Sequence, residues 1–180
     1  MSLLKVYEES NGQNPLVSTQ GDEISVRLKA IGVRFERWQA EENIAADATS
    51  EQIIHAYKTS VDELMTAHGF LSVDVINMHP GHPDKIALRQ KFLSEHIHAD
   101  DEVRFFVKGK GLFYIHAQQK VYGLLCEQGD LISVPANTTH WFDMGDMPEF
   151  TCIRLFSSSE GWVAQYTGSD IADRFPRFGE

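Results

Sequence analysis

Short apolar-rich runs, separated by turns that contain Gly or Gln, fill the chain from Glu102 onwards. Strands that are this short and this closely spaced are typical of a β-sandwich or a β-barrel. The mouth of a small barrel can hold a metal ion and a small ligand among its inward-facing side chains. The predicted strands in this part of the chain span residues 103–107, 112–116, 120–126, 131–134, 140–143 and 149–156.

Residues 1–94 mix helical and strand patterns. Thr49 and Gln52 have the spacing of a capping box, apolar residues follow at helical spacing, and Gly69 is a typical helix end. Acidic residues in the first turn and a Gly just beyond the end also predict a helix over 22–30. We therefore predict helices over 22–30, 49–69 and 84–94, strands over 3–7, 33–38 and 72–78, and turns at 11–12 and 14–15.

Composition limits the class of protein. The chain has 180 residues, of which 42% are hydrophobic, so it fits one domain with its own core. Its formal net charge of −10 argues against a nucleic-acid partner, because binding phosphates requires a basic face. We find no apolar run long enough for a membrane span and no secretory signal, so we expect a cytoplasmic protein. Cys126 and Cys152 lack a Cys-x-x-Cys pattern and are expected to be reduced strand residues.

The candidate chemistry lies in His96, His98 and Glu102. Side chains on a strand repeat every two residues, so His96 and His98 project to one face. A turn or bulge at Asp100-Asp101 would bring the Glu102 carboxylate back beside the two imidazoles. Two neutral imidazoles and a carboxylate suit Fe(II), Ni(II), Mn(II) or Zn(II) and leave coordination positions open for a substrate and dioxygen.

Five other histidines have simpler interpretations. His79 and His82 lie in a proline-containing loop that suggests a rigid turn. His116 lies on a predicted strand and is interpreted as structural, while His55 and His68 lie on or near the predicted long helix. We expect none of these five to bind a metal.

The segment around the two histidines resembles the first motif of the cupin superfamily. His96, His98, Glu102 and Gly109 fit the spacing of that motif, although Gln90 stands where it opens with Gly. The resemblance implies a cupin-type fold that is mainly β: a small β-barrel of the double-stranded β-helix or jelly-roll kind, here with an α/β N-terminal extension.

A second segment resembles the second cupin motif. Gly129, Pro135 and His140 fit its spacing, and Asn137 replaces its middle Gly. Asn is the commonest non-Gly residue at positive φ, so the turn of the motif can be kept. The two motifs together predict a metal-binding cupin.

A closer resemblance, to the acireductone dioxygenase family of methionine salvage, covers nearly the whole chain. It includes the N-terminal α/β extension that minimal cupins lack. The segments that carry it are 32–38, 101–107, 130–135, 140–145 and Glu160-Gly161-Trp162.

This family resemblance implies a ligand set, a substrate and products. His96, His98, Glu102 and His140 would hold one Fe(II) or Ni(II) ion per chain. The substrate would be 1,2-dihydroxy-3-keto-5-(methylthio)pentene, cleaved by dioxygen. With Fe(II) the products would be formate and 4-methylthio-2-oxobutanoate, and with Ni(II) they would be carbon monoxide, formate and 3-(methylthio)propanoate.

We expect a single domain over residues 1–180 that acts as a monomer. It would consist of the N-terminal extension over 1–94, the cupin barrel motifs over 95–156, and a covering segment and tail over 157–180. The last ten residues are expected to form a loose tail.

Two arginines are candidates for binding the oxyanions of an enediolate. Arg104 lies two residues after Glu102 and shares its face on a regular strand, and Arg154 lies on a later strand. The alternative for Arg104 is an ion pair with a neighbouring acid. Asp101 and Glu95 are candidates for the base that removes the enediol proton, or for a partner that orients a ligand imidazole.

Four aromatic residues are candidates for an apolar slot that accepts the methylthio tail of the substrate: Phe92, Phe105, Phe142 and Trp162. The alternative is that these rings belong to the hydrophobic core.

Two other functions remain open at this stage. The chain could be a different metal-dependent cupin dioxygenase or isomerase that acts on another small acid or enediol. It could also be a non-catalytic cupin that binds a metal or a small ligand, which would take up a metal without consuming oxygen.

Overall fold

The computed structural model describes residues 1–159 and 161–180. Within these described residues, eleven strands, four α-helices and one 3-10 helix follow one another. The strands are β1 (Leu3–Glu8), β2 (Asn11–Ser18), β3 (Arg34–Arg37), β4 (Ser72–Met78), β5 (His96–Ile97), β6 (Glu102–Ala117), β7 (Lys120–Glu127), β8 (Asp130–Val134), β9 (His140–Asp143), β10 (Phe150–Phe156) and β11 (Gln165–Tyr166). The helices are α1 (Gly21–Lys29), α2 (Ser50–His55), α3 (Lys58–His68) and α4 (Lys85–Leu93), and the 3-10 helix spans Ile171–Arg174.

The long strand β6 joins two antiparallel layers. Its first half pairs with β8 and β10, and its second half pairs with β7 and β9. One layer has the strand order β3-β8-β6-β10-β4, and the other has the order β11-β5-β9-β6-β7-β1-β2. The mostly β prediction is confirmed, and the strand pairing of the described residues leaves the sheet open instead of closing it into a barrel.

Gly109 marks the place where β6 passes from one layer to the other. Its φ is +79°, and a Cβ there would lie 2.0 Å from the carbonyl oxygen of Glu149. Only Gly fits this conformation beside a neighbouring backbone. The sequence predicted two separate strands, 103–107 and 112–116, which the structure joins into one.

Three hydrophobic clusters fill the molecule. The largest lies between the layers and includes Phe106, Phe113 and Phe142, together with the free cysteines Cys126 and Cys152. A second cluster packs α2 and α3 against the outer face of the first layer. Both cysteines are buried strand residues, in agreement with the sequence.

The N-terminal region differs from its prediction at two points. The expected turns at 11–12 and 14–15 lie inside β2, whose hairpin with β1 turns instead at residues 9–10. The expected long helix is broken into α2 and α3 because the backbone of Tyr57 leaves the helical range. Its ring packs edge-on against Phe105 at a centroid distance of 4.5 Å. The predicted capping box of Thr49 and Gln52 is present.

The C-terminal segment is packed, which corrects the expectation of a loose tail. Ile171, Ala172 and Phe175 are buried in a third cluster against Tyr7 and Trp141. Among the described residues, no helix combines the length and the apolar character needed to cross a membrane.

Candidate metal centre

Three neighbouring strand segments bring together His96, His98, Glu102 and His140. His96 on β5 is the register partner of His140 on β9, and Glu102 opens β6. One donor atom from each of the four residues lies within 4.8 Å of the others, and all four residues are buried. The chain bends at Ala99 and Asp100, between β5 and β6. This bend brings the Glu102 side chain back beside the histidines, as the sequence indicated.

Each of the three imidazoles is fixed by a backbone carbonyl at its Nδ1 atom. His96 donates to Ser94 O at 2.7 Å, His98 to Val163 O at 3.0 Å, and His140 to Thr138 O at 2.7 Å. Because a carbonyl oxygen can only accept, Nδ1 must carry the proton in each ring. In the neutral imidazoles, the Nε2 lone pairs are therefore free to bind a cation, which is the usual arrangement of metal-ligating histidines.

The contacts of Glu102 call for a cation between these donors. Its Oε2 atom lies 3.0 Å from His98 Nε2 and 3.1 Å from His140 Nε2. A carboxylate oxygen and two nitrogen lone pairs repel one another unless a proton or a metal ion is shared between them. Four buried donors of mixed nitrogen and oxygen type fit a borderline divalent ion.

Charges around the cluster keep Glu102 ionised. Burial alone would raise the pKa of Glu102, but the charge of Arg104 and the contacts with His140 and His98 hold this pKa well below its usual range. Burial, together with the neighbouring His140, lowers the pKa of His96 to about 4. At neutral pH the site therefore offers an ionised carboxylate and a neutral His96, both of which are the metal-binding forms.

Arg104 lies at the inner wall of the site and is only 3% exposed. Its Nε atom is 2.9 Å from Glu102 Oε1. Aromatic rings surround the guanidinium: Phe142 at 4.7 Å, Trp162 at 5.2 Å and Phe92 at 5.5 Å from its carbon to the ring centroid. These distances lie within the range of cation–π attraction.

A cavity of about 290 Å³ opens beside the donors. Of the candidate residues named from the sequence, Phe92, Arg104, Phe142, Arg154 and Trp162 line this cavity with three of the four donors. Sequence reasoning missed its other lining residues, which are Ile76, Leu88, Lys91, Phe156, Gly161 and Ala164.

Two other candidate residues do not line this cavity. Phe105 is in the second hydrophobic cluster, where it stacks on Trp38 at 5.0 Å, on the far face of β6. Asp101 accepts a hydrogen bond from the backbone N–H of Ala136 at 2.8 Å and does not line the cavity. Asp101 thus ties the turn before β6 to the loop that carries the second motif.

Arg154 reaches the cavity with part of its guanidinium already bound. Its Nε and Nη2 atoms donate to Asp74 at 2.8 and 2.6 Å. Asp74, Arg154 and Arg104 are consecutive register partners across β4, β10 and β6. Sequence reasoning assigned no role to Asp74, because its pairing with Arg154 depends on which strands are neighbours in the sheet.

Glu95 and His116 also lie close to the cluster. His116 Nδ1 is 2.6 Å from Glu95 Oε2, and Thr167 donates to Glu95 Oε1 at 2.8 Å. Glu95 therefore joins the start of β5 to β6 and to the residues after β11. This agrees with a structural role for His116, and it leaves both Glu95 oxygens engaged.

The open two-layer β fold and the buried cluster of three histidines and one glutamate define a cupin-type metal-binding protein. A model of the ARD/ARD′ family matches residues 4–164. The chain belongs to the ARD/ARD′ family.

Relatives in this family match over almost their full length. An acireductone dioxygenase from Methylococcus capsulatus is 56% identical over 177 residues, which cover 98% of this chain and 95% of the relative. One from Aquifex aeolicus is 56% identical over 180 residues, which cover 100% of this chain and 98% of the relative. Among solved structures, an acireductone dioxygenase from Bacillus anthracis with a cadmium ion in its active centre matches with a TM-score of 0.81 and 30% identity, covering 92% of this chain and 98% of that chain.

The segments that suggested the family from the sequence lie at the centre just described. Residues 101–107 and 140–145 carry Glu102, Arg104, His140 and Phe142. Gly161 and Trp162 line the cavity, while Glu160 lies outside the described residues.

Proposed function

We propose that this protein is an acireductone dioxygenase that cleaves 1,2-dihydroxy-3-keto-5-(methylthio)pentene with dioxygen. The observation that carries the proposal is the buried group of His96, His98, Glu102 and His140 beside a cavity with a cationic and aromatic lining. Membership of the ARD/ARD′ family supports the same substrate class.

The four clustered residues would hold one Fe(II) or Ni(II) ion. Such an ion supplies a Lewis acid that orients an enediolate and stabilises its negative oxygens. By family resemblance, the Fe(II) protein would give formate and 4-methylthio-2-oxobutanoate, and the Ni(II) protein would give carbon monoxide, formate and 3-(methylthio)propanoate. In either case the chain's own residues must bind, orient and shield the substrate.

Arg104 binds the oxyanion of the substrate in this proposal. Its Nε atom forms an ion pair with Glu102 at 2.9 Å, and the guanidinium lines the cavity, so its two terminal nitrogens are placed to bind a ligand there. A planar fork with fixed donors suits an enediolate, and a charge-assisted hydrogen bond is stronger in a site that excludes water. Arg154, held by Asp74, adds a second positive charge at the cavity wall.

Phe92, Phe142 and Trp162 accept the methylthio tail. These rings line the cavity together with Ile76 and Leu88, which gives an apolar wall beside the cationic one. Asp101 is not retained as the base, because its carboxylate is bound to Ala136 away from the cavity.

We further propose that the chain works as a monomeric, single-domain cytoplasmic enzyme without a nucleic-acid partner. The cavity lining supports a single domain, since residues 161–164 meet β4, α4, β6 and β10 around it. The net charge of −10 supports the absence of a nucleic-acid partner.

The test is anaerobic reconstitution of metal-free protein with Fe(II) and, separately, with Ni(II), followed by substrate and oxygen. We expect oxygen uptake with both metals, the keto acid with iron, and carbon monoxide with nickel. The matched control is Glu102→Gln, which replaces the anionic carboxylate donor by a neutral amide and should lose both reactions. A fully metal-loaded protein that consumes no oxygen would contradict the proposal and leave a metal-binding cupin.

A further inference from the structure

Gly111 lies on the inward face of β6, directly beside the ring of Phe142. A Cβ at this position would lie 2.5 Å from both Cε2 and Cζ of Phe142, and 3.1 Å from Cζ of Phe106. The backbone φ of Gly111 is not in the left-handed region, so conformation does not require Gly here. The space that a side chain would fill is already occupied by the Phe142 ring.

The Phe142 ring is held firmly on its core side. Its centroid lies 4.6 Å from that of Phe113 and 6.0 Å from that of Phe150. Phe113 is the register partner of Phe142, and Gly111 lies two residues before Phe113 on the same face of β6. The ring therefore reaches diagonally across the sheet into the gap that Gly111 leaves.

Another side of the ring borders the cavity. The guanidinium carbon of Arg104 lies 4.7 Å from the ring centroid, and the Phe92 ring lies at 6.4 Å. Phe113 and Phe150 already pack against other sides of this ring, so a side chain at position 111 would push the Phe142 ring towards the cavity. A packed interior transmits such a displacement instead of absorbing it.

We propose that Gly111 determines the specificity of the site for acireductones with a long apolar tail. By leaving room for the ring of Phe142, it sets how much of the cavity remains for that tail. Gly111 is a positioning residue, since it acts through Phe142 and does not itself line the cavity. This inference rests on the proposed function and identifies the length of the apolar tail as the property that is selected.

Gly111→Ala tests the inference, with Gly123→Ala as the matched control. A Cβ at Gly123 would lie 2.6 Å from Cε1 of Tyr114, so the same substitution creates a similar clash with an aromatic ring. Tyr114 faces the third hydrophobic cluster, away from the metal centre. Both variants would be compared as loaded enzymes on the methylthio substrate and on a short-tailed acireductone that lacks the methylthioethyl group.

The readout is the ratio of kcat/KM for the long-tailed substrate to kcat/KM for the short-tailed one. We expect this ratio to fall about tenfold or more in Gly111→Ala, since small changes in an apolar pocket discriminate by that order. Gly123→Ala should keep the wild-type ratio, even if its thermal stability falls. Metal content per chain should be unchanged in both variants, because neither residue contacts a donor.

The double variant Gly111→Ala/Phe142→Leu keeps the inference testable if the single variant does not fold. Leucine is smaller than phenylalanine, so the added methyl group should have room, and the ratio should match that of Phe142→Leu within about twofold. Two results would overturn this inference while leaving the proposed function intact. One is an unchanged ratio in a folded Gly111→Ala variant. The other is a ratio in the double variant that stays lower than that of Phe142→Leu. If the loaded wild-type protein turned over neither substrate, the proposed function would fail, and this inference with it.

Discussion

At the scale of single residues, hydrogen bonds orient the donor side chains of the centre for binding a cation. Three backbone carbonyls fix the Nδ1 protons of the three histidines. The Nε2 atoms of His98 and His140 lie next to Glu102, and one donor atom from each of the four residues lies within 4.8 Å of the others. The charge of Arg104 keeps that carboxylate ionised despite its burial. Burying a carboxylate next to nitrogen lone pairs is costly, and a divalent ion bound between them would replace this repulsion by attraction.

Arg104→Lys tests the part that the guanidinium plays. Lysine keeps the charge but has no planar fork, so it cannot contact Glu102 and also present two donors to the cavity. We expect kcat/KM for the methylthio substrate to fall about 10- to 100-fold, which corresponds to one charge-assisted hydrogen bond. Steady-state kinetics on metal-loaded protein provides the measurement.

Metal content and circular dichroism serve as controls for Arg104→Lys. Both should resemble the wild type, because the positive charge beside Glu102 is retained. An unchanged kcat/KM would show that Arg104 acts only as the counter-ion of Glu102.

Strand periodicity predicted some of these residues correctly, and it also explains why one other candidate lies away from the site. Strand periodicity put His96 and His98 on one face, and it put Arg104 on the face of Glu102. By that parity Phe105 must point to the opposite face, which is where the structure places it, against Trp38. Asp74 was missed because its pairing with Arg154 depends on strand order, which local patterns do not determine.

At the scale of elements, position 143 joins parts of the chain that are far apart in sequence. Asp143, at the end of β9, accepts hydrogen bonds from Arg89 of α4 and from the backbone N–H of Phe178 in the C-terminal segment. It also accepts one from the N–H of Gly145. This carboxylate is 1% exposed, so its partners are needed to offset the cost of its burial.

Asp143→Asn should lower stability in a pH-dependent way. Burial alone would raise the pKa of Asp143, but the hydrogen bonds from Arg89, Phe178 and Gly145 outweigh it and lower the pKa. A lowered folded-state pKa contributes stability above the unfolded pKa of about 3.9, and this contribution disappears as pH falls through the folded value. We expect a deficit of about 1.5 to 3 kcal/mol at pH 7 that shrinks below about pH 4.

Urea unfolding at pH 7 and at acid pH measures this deficit, and Asp146→Asn provides the control. Asp146 also contacts Arg89, but its side chain is 86% exposed. An exposed ion pair contributes about 0 to 1 kcal/mol, so the control should stay near the wild type. Equal effects of the two substitutions would contradict the special role of the buried carboxylate.

The sequence predicted most elements but not where some of them join. The segment between the predicted strands 103–107 and 112–116 was interpreted as a turn because it contains Gly, yet Gly109 lets β6 continue from one layer into the other. The pattern over 49–69 is helical throughout, but the helix breaks at Tyr57, whose ring packs against Phe105. Both differences arise from contacts with residues distant in sequence.

At the scale of the whole molecule, the C-terminal segment completes the fold. Phe175 packs on Tyr7 at a centroid distance of 5.4 Å and on Trp141 at 6.1 Å. The segment 171–180 was expected to be a loose tail because its local pattern predicts no helix or strand. Its partners lie at the start of the chain and on β9, so the third cluster forms only when the two ends meet.

A metal ion should stabilise the whole fold, because its proposed ligands come from separate strands. His96 lies on β5, Glu102 on the strand shared by both layers, and His140 on β9. A ligand that binds only the folded state at a hundred times its Kd adds about 2.7 kcal/mol. For a chain of this size we expect Tm to rise by roughly 5 to 10 °C when Ni(II) is added to metal-free protein.

Thermal unfolding with and without Ni(II) measures this gain in matched variants. His96→Ala removes a proposed ligand, so most of the rise in Tm should disappear. His82→Ala removes a histidine from the loop after β4, which lies outside the cluster, and should keep the full rise. The two variants separate binding at this centre from a general affinity of the metal for histidine. If the rise in Tm were lost equally in both variants, or in His82→Ala alone, the stabilising ion would lie elsewhere on the protein.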